Sequence, residues 1–191
     1  VPCHLLIPHG VNKPVPVVIC LQGHTTGMHI SLGRPKFPKD IEKVRGGRDI
    51  ALQAVKNGYA ALVLEQRCFG EREDQRPWAD NNSRKCHHAS MSALLLGRTM
   101  VGERVWDVSR AIDALSFFPE IDMNEIYCTG NSGGGTTTYY SACFDSRIKI
   151  AIPSCSVCSF VDSIGTMTHC QCNYIPGILK YFEMGDLACL I

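Results

Sequence analysis

Hydrophobic residues fall in two rhythms along this chain. Residues 15–21 (Val15, Pro16, Val17, Val18, Ile19, Cys20, Leu21) form a continuous apolar run with several β-branched side chains. That is the pattern of a strand buried on both faces. Residues 59–64 and 148–152 repeat it. Residues 4–8 read as a shorter strand, joined to the 15–21 run through a turn at Asn12, Lys13 and Pro14 that suggests a hairpin. Elsewhere the period changes. Val101, Val105, Val108, Ile112 and Leu115 step by alternating fours and threes, which aligns them on one face of a helix. Residues 48–56 predict a second helix, with Gly58 suited to its C-terminal cap, and 91–100 a short third one. Residues 22–38 and 65–83 keep no steady period and read as loops. Beyond residue 156, Cys, Gly, Met and Tyr are interspersed with polar residues, so 156–191 reads as a lid or cap excursion. Alternating strands and helices predict an α/β domain, with a mostly parallel sheet and helices on both faces. Ligands of such sheets bind at the carboxyl ends of the strands. The loops after Leu21, Leu64, Asn131 and Pro153 therefore share one rim.

One segment on that rim carries chemistry. Glu125, Ile126, Tyr127, Cys128 and Thr129 run as a strand into Gly130-Asn131-Ser132-Gly133-Gly134, and a helix-compatible segment follows from Thr136 to Phe144. Strand, Gly-x-Ser-x-Gly and helix in that order make a nucleophile elbow, in which the serine sits on a sharp turn with its hydroxyl exposed. Gly130 and Gly134 let strand and helix pass close together, and Gly133 leaves the space above Ser132 open. The helix N-terminus beneath Ser132 points its free N–H groups at a developing oxyanion. Gly133 N–H is one oxyanion donor on this reading. The N–H of His24, in the loop after residues 15–21, is the second.

Composition narrows the setting. The chain has 191 residues, 45% hydrophobic and 19% charged, with a formal net charge of +1. One globular domain, spanning 1–191, is expected, and nothing favours nucleic acid or an anionic membrane surface as partner. No apolar run reaches the roughly 20 residues of a membrane span. The amino end has neither a basic region nor a small-residue cleavage site, nor an initiator methionine, so it reads as a trimmed start rather than a signal peptide. Eleven cysteines are present. Several fall inside expected strands and helices (Cys20, Cys128, Cys143), where they act as small buried hydrophobes, and a reducing cytoplasm is expected. Cys155-x-x-Cys158 and Cys170-x-Cys172 suggest metal, but the two pairs lack zinc-ribbon spacing. The expectation is no metal and no cofactor.

The ordered set Leu21-Gln22-Gly23-His24, then Glu65 to Glu71, then Gly97 to Asp107, then Gly130 to Gly134 resembles the acetyl xylan esterase and dienelactone-hydrolase-like branch of the α/β-hydrolases. The resemblance spans most of the chain. It implies a serine carboxylic-ester hydrolase without cofactor, acting on acetylated carbohydrate such as xylan-type oligosaccharides. Carried over by position, Ser132 is the nucleophile, and His24 and Gly133 form the oxyanion hole. Gln22 stands where the family usually has a histidine. The family's triad acid and histidine have no positions here, so the reading is an incomplete α/β-hydrolase fold with its C-terminal strands missing, and impaired activity.

Residues with a minor claim to substitute for them are His169 in the excursion, His87 and His88 before the 91–100 helix, and Asp162. Glu65 and Arg67 read as ion-pair or loop-anchoring residues. Two other readings stay open. One is a non-catalytic remnant binding a carbohydrate or protein through the inherited cleft. The other is a thiol-type or isomerase activity of another relative. A sheet edge exposed at 148–152 predicts a homo-oligomer.

Overall fold

The computed structural model describes residues 1–73 and 85–191. Five strands form one sheet: β1 (Cys3–Leu6), β2 (Val15–Leu21), β3 (Ala60–Leu64), β4 (Ile121–Asn131) and β5 (Ile148–Ser154). The order across the sheet is β1-β3-β2-β4-β5. Only β1 runs antiparallel, pairing with β3. The other pairings are parallel. The expected hairpin is therefore not formed, because β3 lies between β1 and β2.

The helices are α1 (Met28–Ser31), α2 (Pro38–Lys43), α3 (Ile50–Lys56), α4 (His87–Leu95), α5 (Met100–Leu115), α6 (Gly133–Phe144) and α7 (Met184–Leu187). Side chains of β2 alternate between two layers, as the pleat requires. Val17, Ile19 and Leu21 pack with Val108, Ile112 and Leu115 of α5 and Ala142 of α6. Val18 and Cys20 face the other way, toward Met28 and the α3 residues Ala51 and Ala54. Helices thus cover both faces of a mostly parallel sheet.

Several sequence expectations shift. The 22–38 loop contains α1, too short for any period to register. The helix expected at 91–100 begins earlier, so His87 and His88 open α4 instead of preceding it. The loop expected over 65–83 lies outside the described residues from 74 onward. Strand β5 is not buried on both faces: it ends the sheet, and Ile150 and Ile152 are 50% and 60% exposed. Segment 156–191 does not cover that edge. It packs instead on α5 and α6, where Phe160 and Met184 meet Val101, Val105, Tyr139 and Tyr140. Tyr139 donates its hydroxyl hydrogen to the Met184 carbonyl.

Candidate active site

The parallel strands end on one side of the sheet, and the β4–α6 junction turns there. Ser132 stands between the two elements with φ +53° and ψ −117°. A non-glycine residue in that region costs on the order of 1–3 kcal/mol and persists only where its surroundings enforce it. Here they do. The Ser132 N–H donates to the Ser154 carbonyl at 2.8 Å, and the Ser132 carbonyl accepts from Thr136 N–H at 2.8 Å. A Cβ on Gly134 would strike the Leu21 carbonyl, and one on Gly130 the Gly134 carbonyl. Both glycines therefore permit the close approach of strand, helix and β2.

Gln22 and Gly23 bring the loop after β2 against the elbow. A Cβ on Gly23 would lie 2.8 Å from the Asn131 carbonyl and 3.2 Å from Ser132 Cβ. Gln22 is buried and donates to Ser31 Oγ (2.7 Å) and to the Arg48 carbonyl (2.9 Å), so it anchors the loop. Above Gly133 lies the His24 ring: a Cβ there would come within 2.7 Å of His24 Nδ1 and 2.8 Å of Phe69 Cζ. Phe69 meets His24 edge to face at 4.8 Å, and the Arg104 guanidinium stacks on its ring at 4.2 Å.

Ser132 opens into a cavity of about 850 Å³, lined also by His24, Gly133, Tyr140, Cys155, Phe160 and His169. Segment 156–191 supplies much of its wall. Among the described residues the Ser132 hydroxyl has no hydrogen-bond partner. Of the candidate bases, His169 lines the cavity, with its Nδ1 3.0 Å from Asn173 Nδ2. His87 and His88 do not line it; both are exposed on α4, and His88 Nε2 lies 3.4 Å from Ser92 Oγ. Asp162 is exposed, accepts from Ser159 Oγ at 2.6 Å and is not among the residues that line the cavity. Glu65 accepts from the N–H groups of Met28 and Glu71, which makes it a loop anchor. Arg67 forks onto both oxygens of Asp107 at 2.8 Å and also meets Glu103.

Sequence reasoning missed one group. His24 Nε2 lies 3.0 Å from Cys172 Sγ. Cys86 Sγ is 2.7 Å from Cys170 Sγ, which is 3.3 Å from Cys172 Sγ. The three cysteines are buried. Burial works against a charged His24, but hydrogen bonds to the Cys170 and Cys172 sulfurs outweigh it and push its imidazole up to about 9. Bonds from Cys172 and Cys86 hold the Cys170 sulfur well below the ordinary thiol range. Inside the sheet the opposite holds: burial pushes the Cys128 thiol up to about 12. The pair Cys170-x-Cys172 was the visible signal, set aside for want of a second pair at the right spacing. Cys155 and Cys158 are exposed and stand outside the group.

Comparison with known proteins agrees with this architecture. The family model described as glucuronyl esterase, fungi, matches residues 95–161, the stretch from α5 through the elbow to β5. A Bacillus subtilis (strain 168) protein provisionally named a hydrolase, YtaP, is 23% identical over 193 aligned positions. The alignment takes in 100% of this chain and 60% of that protein. A Bacteroides fragilis structure, provisionally named an acetyl xylan esterase, superposes with TM-score 0.77 at 20% identity, over 98% of this chain and 52% of its own. Acetyl xylan esterase from Paenibacillus sp. R4 superposes at TM-score 0.56 and 23% identity, over 79% and 43%. This chain thus spans between about half and three fifths of the first two. With the sheet order and the turn at Ser132, these likenesses bear out the resemblance read from the sequence at the level of fold: the chain has the α/β-hydrolase fold and is similar to carbohydrate esterases of that fold.

Proposed function

We propose that this chain is a serine carboxylic-ester hydrolase whose substrates are acetylated carbohydrates. The observation that carries the reading is Ser132: a serine at φ +53° between β4 and α6, open to a cavity, with the His24 loop beside it. Ser132 Oγ attacks the ester carbonyl. The N–H groups of Gly133 and His24 receive the oxyanion, each worth about 3 kcal/mol in the transition state. The names of the similar proteins support the carbohydrate-ester class, and two of the similar structures, named acetyl xylan esterases, suggest the acetyl group.

Among the described residues the Ser132 hydroxyl has no partner, and this sets the expected strength. A serine without its base keeps only the oxyanion hole and binding, a loss on the order of 10⁴–10⁶ in turnover. Weak hydrolysis of activated esters is expected, far below the enzyme median of about 10 s⁻¹. The same observation favours a second reading, a cleft that binds a carbohydrate without cleaving it. Turnover of p-nitrophenyl acetate by the chain and by Ser132→Ala separates the two. The esterase reading expects slow hydrolysis that disappears in the variant. Equal rates in both would leave only binding.

Two further expectations belong to this reading. The exposed Ile150 and Ile152 on β5 offer an edge for a second copy, checked by sedimentation at low micromolar concentration, where a stable 21 kDa monomer would exclude it. Unbridged cysteines accord with a reducing compartment. Among the described residues no helix is long and apolar enough to cross a membrane.

A further inference from the structure

The group beside His24 is unusual in where its members come from. His24 belongs to the loop after β2, Cys86 is the residue at the start of α4, and Cys170 and Cys172 belong to the cover segment. Cys86 and Cys170 are 84 positions apart, and His24 and Cys172 are 148 apart. Yet one ligand atom from each lies within 4.8 Å of all the others. Folding has therefore brought three soft sulfurs and an imidazole nitrogen to one point. A tetrahedral zinc with Zn–S bonds of about 2.3 Å needs ligand atoms roughly 3.5–4 Å apart. The observed sulfur separations of 2.7 and 3.3 Å bracket that shell from below, and 4.8 Å from above.

Charge gives a second, independent observation. Arg104 is 2% exposed. A buried cation is costly unless it meets a negative group. Among the described residues no carboxylate pairs with Arg104. Its Nε and Nη2 donate to the Arg67 carbonyl, and its Nη1 donates to Cys172 Sγ at 3.3 Å. A neutral thiol is a poor partner for that charge. A thiolate cluster is a good one: three thiolates, one neutral imidazole and one divalent cation sum to a single negative charge, which Arg104 balances. Cys86 is the residue that precedes the first turn of the nine-residue helix α4, so its sulfur is placed by a regular element.

We propose that His24, Cys86, Cys170 and Cys172 bind one zinc ion in a closed tetrahedral site that fastens the loop after β2 to the cover of the Ser132 cavity. Three cysteine ligands and one histidine are a recurrent structural zinc set, and soft thiolates select zinc over harder divalent ions. On binding, the three sulfurs are held as thiolates and His24 binds through Nε2 as the neutral ring, and the protons that the imidazole and the thiols carry beforehand go to solvent. All four positions are taken by protein, so the ion holds structure and leaves no place for a water nucleophile. Phe69, wedged between His24 and Arg104, fixes the ring that binds. The proposal does not depend on the esterase reading.

The test is metal content. The chain, expressed with zinc in the medium and purified without chelator, should hold about one zinc by plasma mass spectrometry. Exchange for cobalt(II) should give the strong near-ultraviolet thiolate charge-transfer bands and visible bands of a tetrahedral site. Cys172→Ser and His24→Ala should lose most of the metal, whereas Cys3→Ser and Cys189→Ser, at exposed cysteines outside the group, should keep it. Should Cys172→Ser not fold, His24→Cys, which preserves four ligands, must still bind one zinc. Zinc far below one per chain with eleven titratable thiols overturns the proposal. So does a Cys86–Cys170 disulfide found by peptide mapping, since a bridged pair cannot supply two thiolates.

Discussion

The cavity at Ser132 has two walls built on different principles. The elbow wall is β4, the turn and α6, contiguous in sequence and backed by the layer of Val17, Ile19, Val108 and Ile112. The opposite wall comes from the start of α4 and from 156–191, distant in sequence, mostly irregular, and joined through small apolar clusters and a knot of cysteines. The first is held by continuous apolar burial, which resists opening in proportion to area. The second has short elements and few large buried side chains, the features of a unit that opens at lower free energy than the sheet. Ser132 stands on the wall with the larger apolar backing, and the wall that closes the pocket over it is the less deeply packed one.

The sharpest way to break this contrast is to cut into the sheet layer. Ile112 is fully buried between α5 and β2, and Ile112→Ala should cost about 2–5 kcal/mol in global stability by urea unfolding. A loss under about 0.5 kcal/mol, the scale of a surface change, would mean the layer does not hold the fold. Next comes the elbow. Gly134→Ala places a methyl group against the Leu21 and Gln22 carbonyls and should cost about 1–3 kcal/mol by overpacking. The cover should respond differently. Phe160→Ala should raise hydrogen exchange across 156–191 while β2 and β4 amides keep their protection. Uniform loss of protection would show that the two walls unfold together.

The smallest effect concerns acid. Burial works against a charged Asp107, but the Arg67 and Arg72 guanidiniums outweigh it and hold its carboxyl below the usual carboxylate range. A depressed folded value gives stability that is full above the unfolded pKa of about 3.9 and is lost as pH falls through the folded one. Asp107→Asn should therefore flatten the acid limb of stability below about pH 4. An unchanged limb would assign acid sensitivity elsewhere.

The same contrast decides what could be read from the sequence. Strand β2 matches the apolar run at 15–21, and the fours-and-threes spacing of Val101 to Leu115 marks α5 to within a residue. In both, local period and tertiary burial agree. The turn geometry at Ser132 was legible because glycines at 130 and 134 are demanded by backbone contacts that are themselves local to the motif. Strand β5 was misread as buried on both faces because an apolar run does not say which strand ends a sheet. Helices α1 and α2 are four and six residues long, shorter than two turns, so no period could show. The buried His29–Asp40 pair, at 3.1 Å, belongs to that stretch and went unread with it. The cysteine group was illegible for another reason: His24, Cys86 and Cys170 meet only through the fold, and no spacing rule links them.

The most direct test of the central claim, that Ser132 is a nucleophile held ready by its backbone, is labelling with a fluorophosphonate followed by peptide mapping. The account predicts a single adduct on the peptide carrying Ser132, slow to form, absent from Ser132→Ala and from the urea-unfolded chain. No adduct on the native chain at long exposure, or an adduct on another residue that persists in Ser132→Ala, would contradict it.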